Sequence, residues 1–201
     1  MKKINSIPRC SAAKINWDQF RKDNFLGSKP LIIEGALEDW SALKKWSSSY
    51  FTELYAGRTL SVGHNNRAIY SRLATNQSQS VQRDAIELEC SEAMKRIDSG
   101  SSKGTYYLQK QSIPNVFPEL MKDITPPPFV SKDELTDINL WFGGAGNITP
   151  LHFDFSNNFL AQVTGVKDFV LISPSYYSEC YPADGTNLNH LSRVDLEAPD
   201  F

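Results

Sequence analysis

At 201 residues and 22.6 kDa the chain has the size of one domain, or of one domain with an arm. Its apolar content of 40% and aromatic content of 11% exclude a disordered polyelectrolyte. A net charge of −2 and a pI near 5.9 argue against a general phosphate-binding surface.

The charge is unevenly placed: residues 1–100 carry 15 Lys and Arg against 11 Asp and Glu, and residues 101–201 carry 6 against 12. No apolar run approaches the roughly 18–20 residues that span a bilayer. The opening MKKINSIPRC lacks the apolar stretch of a secretory leader. Cys10, Cys90 and Cys180 are far apart and form no CxxC pair, which reads as reduced thiols in a cytoplasmic protein.

The first third reads as helix-rich. Asn16 can cap a helix through WDQFRKDNFL, with Gln19 placed for a capping box. Pro30-Leu31-Ile32-Ile33-Glu34-Gly35 is a short strand ended by glycine. Ser47 to Ser49 precede YFTELYA and Gly57 follows it, giving that helix both a start and a stop. RTLSVGH alternates like a strand, residues 63–83 are polar and read mainly as loop, and ELECSEAMKRIDSG reads as a further helix closing at Gly100.

After Gly104 the pattern changes. TYYLQ is a strand, PNVFPELMKDI a helical turn or two, and Pro126-Pro127-Pro128 a stiff connector. From Ile138 onward NLWFG, TPLHFDF, NFLAQVT and KDFVLISP follow one another with turn signals at GAGN and Gly165. That spacing predicts a β-sandwich or barrel. The expected organisation is a helix-rich part over residues 1–103 on a β core over residues 104–201.

His152 and Asp154 lie two apart in a strand-like segment, so their side chains share a face. An imidazole and a carboxylate so placed are two arms of the facial triad that holds Fe(II) with open positions; an edge-strand His beside an Asp is the plainer alternative. Lys167 is the sole Lys or Arg between Asp133 and Ser192 and opens an apolar strand. A snorkelling strand-end lysine is the commoner outcome of that spacing, and a lysine that meets a bound dicarboxylate is the other. Thr149 and Asn158 could bind a ligand or cap turns, Tyr107 could point inward or bond to backbone, and Trp141 reads as core. His64, in a polar segment, and His190, in an irregular loop, are poor metal candidates.

These residues in this order resemble the JmjC and cupin-like dioxygenases, with the nearest likeness to the factor-inhibiting-HIF type of asparaginyl hydroxylase. KPLIIEGALEDWSALKKWSSSYFTELYAG is similar to the family's N-terminal segment, and GNITPLHFDFSNNFLAQVTGVKDFVLISP to its core block. The resemblance implies a fold that is mainly β with α: a double-stranded β-helix, or jelly roll. It also implies Fe(II) as cofactor, with 2-oxoglutarate and O2 as co-substrates. On that resemblance His152 and Asp154 would be iron ligands and Lys167 would pair with the far carboxylate of 2-oxoglutarate. Tyr107, Thr149 and Asn158 would hydrogen-bond the co-substrate, and Trp141 would help wall its pocket.

The family's third ligand, a histidine on a late strand, has no counterpart here. The chain reaches Phe201 where the family continues into its closing strands. The expectation is therefore a jelly roll short of its last strands, in a shortened form of an oxygenase that hydroxylates a protein side chain. A barrel closed by a partner's strands and a silent cupin-like binding module are the alternatives. A conventional metal cupin, such as an isomerase, would not need the Lys167, Thr149 and Asn158 set. The expected partners are 2-oxoglutarate and a protein substrate, with tRNA as the other substrate class. No membrane association is expected, and a homodimer is among the assemblies the resemblance allows.

Overall fold

Short polar caps start the helices, and the residues that follow decide how far each one runs. The computed structural model describes residues 6–64, 85–99, 106–126, 128, 133–184 and 188–196. The chain divides into two interleaved units, one from residues 1–46, 112–139 and 159–165, the other from residues 47–111, 140–158 and 166–201.

In the first unit, strand β1 (Arg9–Ser11) pairs in parallel with β2 (Ile32–Glu34). Helix α1 (Trp17–Phe20) starts where Asn16 Oδ1 accepts the Gln19 N–H at 2.9 Å. It then widens into a π-helical turn over Arg21–Phe25, in which the Leu26 N–H reaches the Arg21 carbonyl. Residues five apart on an α-helix are separated by about 140°. The wider winding brings Phe20 and Phe25 to one side, where both meet the Phe159 ring, at 6.1 and 5.8 Å.

Helix α2 (Ala42–Lys45), with the residues that flank it, carries donors for the buried carboxylate of this unit. Asp123, 1% exposed, lies at the end of a 3-10 segment, Pro118–Asp123, that follows α5 (Ile113–Val116). It accepts from Ser41 Oγ at 2.6 Å, Lys45 Nζ at 2.5 Å and Trp46 Nε1 at 3.2 Å. A buried carboxylate needs this kind of pairing to offset its lost hydration.

The second unit is built on a sheet of order β4-β3-β5-β6, with β3 at Thr59–His64, β4 at Ala85–Glu89, β5 at Tyr106–Ser112 and β6 at Asn139–Gly143. β3 runs antiparallel to both neighbours, pairing Leu60 with Leu88, Val62 with Ile86 and Gly63 with Tyr107. Helix α3 (Ser48–Leu54) is capped by Ser47, which accepts the Tyr50 N–H, and Gly57 takes a positive φ of 78° just beyond its end. Helix α4 (Cys90–Asp98) buries Cys90, Ala93, Met94 and Ile97, the i, i+3, i+4, i+7 stripe of one face. They join Phe51, Tyr55, Leu60, Val62 and Leu108 among the buried residues. Each of the larger side chains contributes about 1.5–3 kcal/mol by leaving water.

The structure departs from the sequence reading in three places. The segment ELEC is divided: Glu87, Leu88 and Glu89 belong to β4 and the helix begins at Cys90. The reason lies across the sheet, where Ile86 and Leu88 find Val62 and Leu60. The second departure concerns the strands read in TPLHFDF, NFLAQVT and KDFVLISP. Only His152 of these segments pairs, in an isolated antiparallel bridge to Leu191. A strand needs a neighbour for its backbone N–H and C=O groups, and none is present for residues 156–173 among the described residues. Their apolar side chains stay exposed: Val166 is 90% accessible and Val170 58%. The polar loop read over residues 63–83 begins inside β3; beyond His64 it lies outside the described residues.

Candidate functional site

His152 and Asp154 follow the turn that ends β6. The turn is shaped by Asn147, whose side-chain amide donates to the Gly144 carbonyl at 2.9 Å and to the Tyr106 carbonyl of β5 at 3.3 Å. Gly143 is required by packing: a Cβ there would lie 2.5 Å from Tyr107 Cδ2. Its missing side chain lets the Tyr107 ring lie against β6.

The His152 Nδ1–H donates to the Pro150 carbonyl at 2.7 Å. That bond holds the ring and leaves the Nε2 lone pair open, the arrangement a metal-binding imidazole uses. Nε2 faces Asp154 Oδ2 at 3.8 Å, and the side chains are 30% and 55% exposed. Asp154 Oδ2 also accepts from Asn158 Nδ2 at 2.6 Å. Asn158, expected from the resemblance to meet the co-substrate, is thus hydrogen-bonded to the acid. At 3.8 Å apart, the two donors could reach one metal ion. No third His, Cys, Asp or Glu joins them among the described residues.

His190 lines the same cavity as the pair, next to the residue that bridges His152. His152 lies opposite Leu191, and the Phe153 N–H donates to the His190 carbonyl at 3.0 Å. Opposed residues in an antiparallel pair share a face, so Leu191 takes the His152 side. The His190 ring lies 6.4 Å from Phe155. His64 sits on β3 with its ring 5.0 Å from Tyr106. A cavity of about 480 Å³ borders the pair, walled by Phe153, Tyr177, Pro182 and Leu191 beside His152 and Asp154.

A second group gathers Tyr107, Thr149, Trp141 and Lys167. Tyr107 is 6% exposed; burial raises its phenol pKa, and a hydrogen bond with Thr149 partly offsets the rise. Its ring lies 5.9 Å from Trp141. The Lys167 ammonium stands 6.0 Å from the Trp141 ring centre and 5.3 Å from that of Phe169. Burial lowers its pKa, and among the described residues no carboxylate forms an ion pair with it. A half-buried cation with no carboxylate partner among the described residues is a group that an anionic ligand could meet.

Sequence reasoning missed Gly143, the Pro150 carbonyl and Phe169. The first lay hidden in the turn GGAGN and the second is a backbone group. Phe169 was visible as the residue sharing a face with Lys167. The three cysteines form no disulfide, and burial raises the thiol pKa of Cys90 and Cys180, so neither is an activated nucleophile.

Comparison with known proteins identifies the family of the chain. Residues 17–201 match the cupin-like domain, and the chain belongs to that family, with its mixed helix and antiparallel-sheet fold. It is similar to a protein named lysine-specific demethylase 8 from Xenopus tropicalis, with 33% identity over 97% of this chain and 42% of that protein. Lysine-specific demethylase JMJ30 from Arabidopsis thaliana is 33% identical over 92% of this chain and 42% of its own length. The human bifunctional peptidase and (3S)-lysyl hydroxylase JMJD7 is 29% identical over 78% of this chain and 51% of its own. The chain thus spans about half the length of the curated relatives it matches. No helix among the described residues is long and apolar enough to cross a membrane.

Proposed function

We propose that this chain is the cofactor-binding part of an Fe(II)- and 2-oxoglutarate-dependent oxygenase that acts on a protein side chain. The observation that carries the reading is the His152–Asp154 pair, with Nε2 left open by the Pro150 carbonyl and facing the acid at 3.8 Å. Iron and 2-oxoglutarate, when bound with O2, would supply the oxidation of an unactivated C–H bond. The chain's own residues do the rest. His152 and Asp154 would hold the metal, and Asn158 would keep Asp154 in place. Lys167 would take the far carboxylate of the co-substrate, and Tyr107 and Thr149 would hydrogen-bond it beside the Trp141 wall.

Hydroxylation of a protein side chain is the finer part of the proposal. The relatives carry names of lysine demethylases and of a lysyl hydroxylase, and both reactions can proceed by oxidising a C–H bond near a substrate nitrogen or on its carbon chain. An asparaginyl target and a tRNA substrate are the competing readings. The division at residues 103 and 104, a cytoplasmic setting and a homodimer belong to the same proposal.

One feature favours a second reading, a silent binding module: the pair has no third protein donor among the described residues. Incubation with Fe(II), ascorbate and labelled 2-oxoglutarate separates the two. Succinate formation by the wild-type chain, lost in His152→Ala and Asp154→Ala, supports the enzyme. Co-substrate binding that depends on Lys167, without turnover, supports the module. No binding of 2-oxoglutarate with or without metal ends both.

A further inference from the structure

We infer that Phe169, together with Trp141, is a positioning residue that holds the Lys167 ammonium in place for the far carboxylate of a dicarboxylate ligand. The inference rests on the proposed function and adds to it a residue and a means of selection. The ammonium lies 5.3 Å from the Phe169 ring centre and 6.0 Å from that of Trp141, within the range in which a cation is drawn to a ring face.

Phe169 follows Lys167 by two residues, and the ammonium lies against its ring. Trp141 comes from β6, and its ring is itself set against Tyr107 at 5.9 Å. Tyr107 in turn lies where Gly143 leaves room for it. The lysine is thus referred back to the sheet through a chain of ring contacts.

A ring-face contact uses the ammonium's charge and none of its N–H donors in a conventional hydrogen bond. The three donors remain available to a carboxylate. A free lysine side chain loses substantial rotamer freedom when it is fixed against a ligand; one already held by two rings has lost part of it beforehand. Preorganisation of this kind appears as tighter binding of the anion. A carboxylate partner from the protein would have competed with the ligand for the same donors, whereas the two rings do not. Desolvation, which lowers the lysine pKa, acts in the same direction by leaving the cation short of hydration.

The test uses glutarate, a dicarboxylate with no keto group. It reads the lysine end of the site without metal or turnover. Calorimetric titration of the whole chain should show one glutarate site, lost in Lys167→Met. Phe169→Leu keeps apolar volume but removes the ring and should weaken glutarate about threefold or more, whereas Phe169→Tyr keeps the ring and should stay within about twofold. Phe169 is 47% exposed, so both variants should keep the wild-type thermal midpoint. Phe169→Leu binding like the wild type, or Leu and Tyr weakening it alike, overturns the positioning role and leaves the proposed function standing. Wild-type chain that fails to bind glutarate, or binds it equally well with Lys167→Met, overturns both.

Discussion

The regions around Asp123 and Asp154 treat a carboxylate in opposite ways. Asp123 is 1% exposed and meets a hydroxyl, an ammonium and an indole N–H within 3.2 Å. Asp154 has a side chain 55% exposed, one amide donor from Asn158 and an imidazole nitrogen at 3.8 Å. An acid whose lone pairs are taken up by protein donors ties helix α2 to the 3-10 segment and has little left for a ligand. An acid held by a single donor beside an open nitrogen keeps oxygen available for a metal. The same contrast separates two lysines. Lys45 ends on Asp123, and Lys167 ends on two aromatic faces.

The sharpest way to break this comparison is to remove each acid in turn. Asp154→Ala, like His152→Ala, should abolish 2-oxoglutarate turnover and leave the thermal midpoint nearly unchanged; a large loss of stability would show that the pair is structural. Asp123→Ala should do the reverse. It removes the acceptor that Ser41, Lys45 and Trp46 share, and should cost about 2–4 kcal/mol in denaturant unfolding without altering co-substrate affinity in the folded fraction. Lys167→Ala should weaken 2-oxoglutarate by roughly 10- to 100-fold, the size of a lost charge-assisted contact. Its stability should hold steady or rise slightly, because a desolvated cation is removed.

The smallest effect belongs to a third acid, Glu89, which caps α4. A hydrogen bond from the Ser91 hydroxyl, with the Gly57 and Ser91 N–H groups, lowers its pKa from 4.5 to about 2. A depressed carboxylate stabilises the fold fully above its ordinary pKa and loses that contribution as pH falls through the depressed one. Unfolding midpoints measured at pH 5 and pH 3 should therefore fall less steeply for Glu89→Gln than for the wild type. Parallel curves would show that Glu89 makes no differential contribution.

Much of the local structure was legible because it depends on neighbours in sequence. Asn16 and Ser47 cap the helices they were expected to cap. Strands at Ile32–Glu34, Thr59–His64, Tyr106–Ser112 and Asn139–Gly143 coincide with PLIIEG, RTLSVGH, TYYLQ and NLWFG. The division of ELEC between β4 and α4 was not legible, since it depends on Leu60 and Val62 across the sheet. The apolar runs after Phe155 have strand composition, but composition supplies no ladder partner, and residues 156–173 have none among the described residues. At the site, the two-residue spacing of His152 and Asp154 announced a shared face. The contacts of Pro150 and Gly143 emerged only from distances.

The amino-acid order alone singled out the candidate residues: an imidazole and an acid two apart, and a solitary lysine in a long stretch without other strong bases. Those are properties of backbone period and composition, and they survive without a fold. The tertiary structure decided which imidazole nitrogen stays open, which donor steadies the acid, and what stands beside the lysine. Each of these depends on groups brought together from separate turns and strands, and a hydrogen bond or ring contact acts only over a few ångströms of space.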